Sequence, residues 1–184
     1  FVYLDGPRSD SDVGQVNAVK DYIKNIKGFK SLEVIERPNN FGLSKNIIQG
    51  ITEVLKDFNA AIIVEDDLVT SPYFLQYMNT SLEKYIDEPR VASVHGYTYP
   101  VDIPLPETFF LRGADCWGWG TWRDRWSDFN QDPKQILKGI KNKNLEDEFN
   151  YGGYSKFTDM LENKIKGKND SWAIIWHGHN FLQN

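Results

Sequence analysis

The run Ala60-Ala61-Ile62-Ile63-Val64 passes directly into Glu65-Asp66-Asp67, and this junction constrains the chain more than any other segment. Five apolar residues that stop at three carboxylates read as a buried parallel strand ending at a polar edge. In open α/β sheets, ligands bind outside the carboxyl ends of the strands. Three adjacent carboxylates repel one another unless positive charge sits among them. A hard divalent cation, held by oxygen ligands and shared with a substrate's phosphates, supplies that charge. The plainer reading is an acidic turn into the next helix, with Ser71 as N-cap and Pro72 at the first helical position.

The rest of the chain sets that strand in a repeating α/β pattern. Phe1–Leu4 reads as a strand closed by the turn Asp5-Gly6-Pro7. Val13, Val16, Val19, Ile23 and Ile26 recur at helical spacing, with Gly28 as a stop. Asp10 and Asp12 read as caps for this helix. Ser31–Glu36 reads as a strand, and Ser44 caps a helix carrying Ile47, Ile48, Ile51, Val54, Leu55 and Phe58 on one face. A helix bearing Phe74, Leu75, Met78, Leu82 and Tyr85 follows the acidic junction. Val91–Val94 and Thr108–Leu111 read as strands around a proline-rich loop at Tyr97–Pro106. Asp132-Pro133 opens a helix with Ile136, Leu137 and Ile140 inward. Gly153–Ile165 reads as another, with Phe157, Met160, Leu161 and Ile165 inward. The order β-α-β-α-β predicts a mostly parallel open sheet flanked by helices.

Composition narrows the function. At 184 residues the chain reads as one domain that buries a core without staples. A net charge of −5 argues against a nucleic-acid partner, which wants a basic stripe. The single cysteine, Cys116, excludes an internal disulfide. No apolar stretch approaches the roughly 20 residues of a membrane span, and none reads as a signal peptide. Phe1 opens inside a strand without a methionine, and the chain stops soon after an apolar pattern. The expectation is a domain truncated at the N-terminus and trimmed at the C-terminus.

Three blocks carry a family resemblance. Ile63–Phe74, with Glu65-Asp66-Asp67 inside it, resembles the metal motif of GT-A-type (Rossmann-like) glycosyltransferases, especially the N-acetylglucosaminyltransferase group that spells it Glu-Asp-Asp. Bacterial sugar transferases of similar type resemble the chain at Asn40-Phe41-Gly42-Leu43-Ser44-Lys45-Asn46 and at Gly113–Trp122. That family commonly has alanine where Gly120 stands. The resemblance implies a nucleotide-sugar donor, manganese or magnesium, and a saccharide or lipid-linked saccharide acceptor. It also implies a cytoplasmic location, at the inner face of the membrane, and that the part lacking at the N-terminus is the first strand and helix. Asp67 is then the direct metal ligand. Glu65 and Asp66 face donor hydroxyls or ligate through water. Asp5, with Arg8 three residues on, meets the base or ribose of the nucleotide. The Trp117–Trp122 block lies by the donor sugar and acceptor, and Asp170 matches a late acidic position that acts as general base in inverting enzymes.

The residues themselves leave alternatives open. Asp5 is equally a turn carboxylate capping its own backbone. Asn40 and Lys45 flank a helix start that favours anions, or Lys45 is a solvated surface charge. Trp117 and Trp119 offer flat faces for a sugar ring, while Trp126 reads as core. Asp115 touches the sugar or fixes its own loop, and Asp170 is base or helix cap. His177 and His179 diverge on a helix, and His95 reads as a hydrogen-bonded core histidine. Two other enzyme classes compete. A dehalogenase-type phosphatase needs a nucleophilic aspartate where Tyr3 stands. A nucleotidyltransferase of similar fold needs a phosphate loop after its first strand. A non-catalytic carbohydrate-binding domain explains the tryptophans and leaves the acidic triplet without a role.

Overall fold

The computed structural model describes residues 1–183, and these form an α/β arrangement. Two compact units divide it, Phe1–Val54 and the residues from Leu55 onward. In the first unit, β1 (Val2–Leu4) pairs in parallel with β2 (Val34–Glu36), Tyr3 standing opposite Ile35. A 3-10 turn at Asp10–Asp12 leads into α1 (Val13–Ile23), which stops three residues before the expected Ile26. Asp12 stands at the N-cap position of α1 and makes no side-chain cap hydrogen bond. The next helix, α2 (Leu43–Asp57), starts one residue before Ser44, so Ser44 lies inside it and is buried.

In the second unit the strands are β3 (Ala60–Ile63), β4 (Val94–His95) and β5 (Trp119–Trp122). Their order is β3-β5-β4, and β5 runs antiparallel to both neighbours. The expectation of a parallel strand before the acidic triplet is therefore corrected, as is that of a mostly parallel sheet. The parallel pairing described is that of β1 with β2. An apolar run signals burial but carries no direction, and the Trp-rich segment inserts between β3 and β4 with reversed polarity. The strand ends at Ile63, and Val64 is half exposed. Residues 108–111 form no strand, and Phe110 and Leu111 lie exposed.

Alternation along β5 builds two apolar layers. On one face Trp122 joins Phe74, Met78, Leu82, Val91 and Val94, most of them from α3 (Phe74–Lys84). The Trp122 indole donates to Leu82 O at 3.1 Å. Gly120 permits this packing: a Cβ there would stand 3.0 Å from Ala61 O and 3.2 Å from Leu82 and Met78. That crowding is a local reason for glycine where the resembling family has alanine. On the other face Trp119 meets Trp172 at 5.5 Å, stacked, and Trp176 at 5.5 Å. Trp126 adds to this cluster, 5.1 Å from Trp176.

The remaining helices wrap the second layer. They are α4 (Arg123–Ser127), α5 (Pro133–Asn142), α6 (Glu146–Phe149), α7 (Phe157–Ile165) and α8 (Ala173–Gln183). Asp132 caps α5 as expected, accepting from Lys134 N at 2.8 Å, with Pro133 in the first turn. Ser71-Pro72 does not open α3. Ser71 Oγ accepts from Tyr73 N at 3.2 Å, making a turn ahead of the helix. In α7 Leu161 is fully buried while Met160, expected inward, is exposed. Among the described residues no helix is long and apolar enough to cross a membrane.

Candidate functional site

The antiparallel register brings three loops to one end of the second sheet. Ile63, the last residue of β3, and His95, the last of β4, both pair with Trp119, the first of β5. The chain therefore leaves β3 at 64–73, leaves β4 at 96–100 and enters β5 at 113–118 from the same side. Gly96 N donates to Gly118 O at 2.8 Å and ties the last two together. Gly118 has φ +70, a conformation that favours glycine. A Cβ there would meet the Phe74 ring at 3.1 Å.

The acidic triplet stands on the first of these loops. Glu65 is half-buried, and Asp66 and Asp67 are exposed. Burial raises the proton affinity of Glu65, and the Asp67 and Asp66 charges raise it further. Asp115 stands on the third loop and accepts from Cys116 N at 2.7 Å and Trp117 N at 2.9 Å. Its carboxylate fixes the loop, one of the two roles the sequence leaves open. Burial, then Asp115, then Glu65 push the Cys116 thiol up to about 12. Asp115 likewise raises Tyr99 and Tyr151, in each case second to burial. Glu65 and Asp115, one from each acidic loop, thus both act on Cys116.

Aromatic rings stand beside these acids. Tyr97 meets Trp117 edge-on at 4.9 Å and Tyr99 at 5.2 Å, and Tyr99 lies 5.9 Å from Trp117. Trp117 is 46% exposed, enough to offer a face to a ligand. Trp119 is 0% exposed, inside the tryptophan cluster. The sugar-stacking expected of Trp119 is corrected: two residues along, it points from the strand into the core. Tyr97 and Tyr99 join the candidate site through their contacts with Trp117, and the sequence reading missed them. Their i, i+2 spacing after a strand, which sets two side chains on one side of an extended segment, was the available signal.

His177 locks the third loop from behind. Its Nδ1 lies 3.2 Å from Ala114 N and 3.0 Å from Ala114 O. A Cβ on Gly113 would stand 2.3 Å from its ring, and Gly113 has φ +102. Its Nε2 is buried without a hydrogen-bond partner among the described residues. Burial lowers its pKa, against weaker opposing effects from Ala114 and Asp115. A lowered folded value means that the unfolded chain binds protons first as pH falls. The stabilisation is thus present above about pH 6.5 and is lost as pH falls below it. His179 is lowered too, chiefly by burial. Urea midpoints between pH 7.5 and 5.5 should fall in the wild type, with a shallower slope in His177→Phe. Equal slopes would assign the effect to His179 or the carboxylates.

The other candidates stand on other segments. Asp170 is in the α7–α8 connection, two residues before Trp172, which stacks on Trp119 at the start of β5. It is ion-paired with Lys164 at 2.7 Å, with 57% of its side chain exposed. Ser171 Oγ accepts from Ile174 N at 3.4 Å at the start of α8. His95 is half-buried with Nδ1 3.2 Å from Tyr97 O.

Asp5, Arg8, Asn40 and Lys45 belong to the first unit. Asp5 is a cross-loop clamp. It accepts from Gly6 N at 2.9 Å, Phe41 N at 2.7 Å, Gly42 N at 2.9 Å and Asn40 Nδ2 at 3.1 Å. Asn40 also donates to Gly6 O at 2.7 Å. Gly6 is required there, because a Cβ would stand 2.5 Å from the Asn39 backbone. Lys45 lies 4.1 Å over the Phe41 ring, and Arg8 is exposed. Arg37, unnoticed in the sequence, grips Glu53 at 3.1 and 3.3 Å and Asn46 at 3.0 Å.

Among the described residues no group of three or more His, Cys, Asp or Glu side chains is arranged to hold a metal ion by itself. Glu65, Asp66 and Asp67 are consecutive on one loop, and the two aspartate charges act on Glu65; a hard cation takes carboxylate oxygens of this kind with phosphate or water as its remaining ligands. Comparison with protein-family models, with curated proteins and with solved structures finds no match to this chain.

Proposed function

We propose that this chain is the catalytic region of a GT-A-type, metal-dependent glycosyltransferase. It moves a sugar from a nucleotide-sugar donor to an acceptor hydroxyl. The observation that supports this best is the meeting, at one sheet end, of the acidic loop and the rings of Trp117, Tyr97 and Tyr99, of which Trp117 and Tyr99 are exposed. Carboxylates suit the phosphate side of such a donor through a cation, and flat rings suit its sugar. The like charge felt by Glu65 fits a cation between the carboxylates.

Asp67, with Glu65 and Asp66 beside it, would hold manganese or magnesium. When bound there, the ion supplies positive charge to the departing phosphate oxygens. Trp117 and the two tyrosines orient the donor sugar. The acceptor oxygen attacks the anomeric carbon, the bond from that carbon to the phosphate oxygen breaks, and its electron pair leaves with the nucleotide. Asp170 takes the acceptor's proton, and the configuration inverts. The acceptor is a saccharide or lipid-linked saccharide, handled at the inner face of the cytoplasmic membrane.

One observation favours a second reading. Exposed aromatic rings alone serve a non-catalytic carbohydrate-binding domain equally well. Isothermal titration with UDP, GDP, dTDP and CMP, each with and without manganese, separates the two. The transferase reading expects one nucleotide to bind only with manganese. Sugar binding with no nucleotide heat under either condition would overturn it in favour of the binding domain.

A further inference from the structure

A groove in the second unit has a lining that does not include Glu65, Asp66 or Asp67. It has a volume of about 1110 Å³ and runs along α3 and β4 beneath residues 107–113. That exceeds the roughly 300–1,000 Å³ of a small-ligand pocket. From Gln76 to Lys84, α3 gives it a wall of about 12 Å at 1.5 Å per residue. Its shape suits a chain of several units rather than one small molecule.

The lining combines flat rings with short polar groups. Tyr73, Tyr77 and Phe110 face the groove and are 73%, 38% and 68% exposed. Gln76, Thr80 and Ser81 stand between them. A sugar ring has an apolar C–H face and a rim of hydroxyls, and this alternation matches both. A hydrocarbon chain would leave the amide and hydroxyls unused.

Charge decides between the two acceptor classes. Arg90 is paired with Glu88 at 2.6 Å, and Arg112 with Glu148 at 2.7 Å. Lys84 lies 5.2 Å over the Tyr85 ring, and Glu107 adds a negative charge to the lining. With Arg90 and Arg112 engaged by carboxylates and Glu107 opposing it, the Lys84 ammonium alone makes a poor cradle for a doubly charged diphosphate. An added peptide strand is also disfavoured. The β4 edge is two residues long, and Ala92 O already accepts from Thr121 Oγ1 at 2.8 Å.

The groove is continuous with the candidate site. Tyr97 and Gly113 line it. Tyr97 contacts Trp117, and Gly113 opens the loop that carries Asp115. We propose that this groove is the acceptor channel and takes a neutral saccharide chain, its rings lying on Tyr77 and Phe110 and its reacting end delivered at Tyr97. This inference rests on the transferase reading.

Saturation-transfer NMR on the full chain tests it, with maltotetraose, cellotetraose and chitotetraose as neutral probes. A polyprenyl-diphosphate disaccharide and an extended hexapeptide are the competing probes. At least one tetrasaccharide should receive saturation from aromatic protons. The double variant Tyr77→Ala, Phe110→Ala should weaken it at least roughly tenfold, a loss of about 1.4 kcal/mol. Thr80→Trp, which fills the groove from an exposed helix position, should abolish it. Manganese-dependent nucleotide heat should survive in both. Three results would each overturn the inference: no tetrasaccharide binding, binding indifferent to Thr80→Trp, or preference for the lipid diphosphate or the peptide. If nucleotide heat persists in such a case, only the groove assignment fails. If it is absent from the wild type as well, the transferase reading fails with it.

Discussion

Replacing Asp67 with Asn is expected to abolish manganese-dependent nucleotide binding and leave the fold intact. The substitution keeps the side-chain shape and removes one negative charge from a set of three. A hard cation shared with phosphate depends on anionic oxygen ligands, and an amide oxygen replaces one poorly. Stability should barely change, because Asp67 is exposed and surface substitutions usually stay within about 0.5 kcal/mol. Its charge also works against Glu65, so any small shift in the melt should be upward. Titration calorimetry beside a thermal melt checks both expectations. Unchanged nucleotide affinity in Asp67→Asn would remove Asp67 from the metal site.

Asp170→Asn is expected to keep donor binding and to lower transfer by about 10²–10⁴-fold, the usual contribution of a general base. Two observations make this variant informative. Asp170 lies on the α7–α8 connection and not on the acidic loop, so nucleotide heat should be unaffected. Its partner Lys164 is lost, but with 57% of the Asp170 side chain exposed such a pair contributes at most about 1 kcal/mol. A large fall in transfer therefore cannot be ascribed to unfolding if the melt is unchanged. The product's anomeric proton, read by NMR, provides the second check. Inversion agrees with a single base on the acceptor side. A retained configuration, or normal transfer by the variant, would return Asp170 to its ion pair with Lys164.

Much of the local structure was written in the sequence. The Ala60–Val64 run specified a strand ending at the acidic triplet to within one residue, because five apolar residues beside three charges leave little choice. Asp132-Pro133 specified the start of α5, because capping chemistry is local: one carboxylate and a fixed φ act within a single turn. Trp126 read correctly as core. Sequence patterning set an α/β class and located the acidic and Trp-rich blocks.

Direction, partnership and burial were decided only by the tertiary structure. Trp117 and Trp119 look alike in the sequence, yet one is half exposed and the other fully buried. Alternation puts neighbours two apart on one face only while the strand lasts, and β5 begins at Trp119. The antiparallel insertion of β5 is a long-range pairing that no local pattern encodes, and it alone brings Tyr97 to Trp117. Asp5 shows the same principle in the first unit. Its four hydrogen bonds reach residues 6 and 40–42, and the chain closure that supplies three of those donors depends on β1 pairing with β2. Local chemistry determined which residues were available for a site, and strand order determined which of them meet.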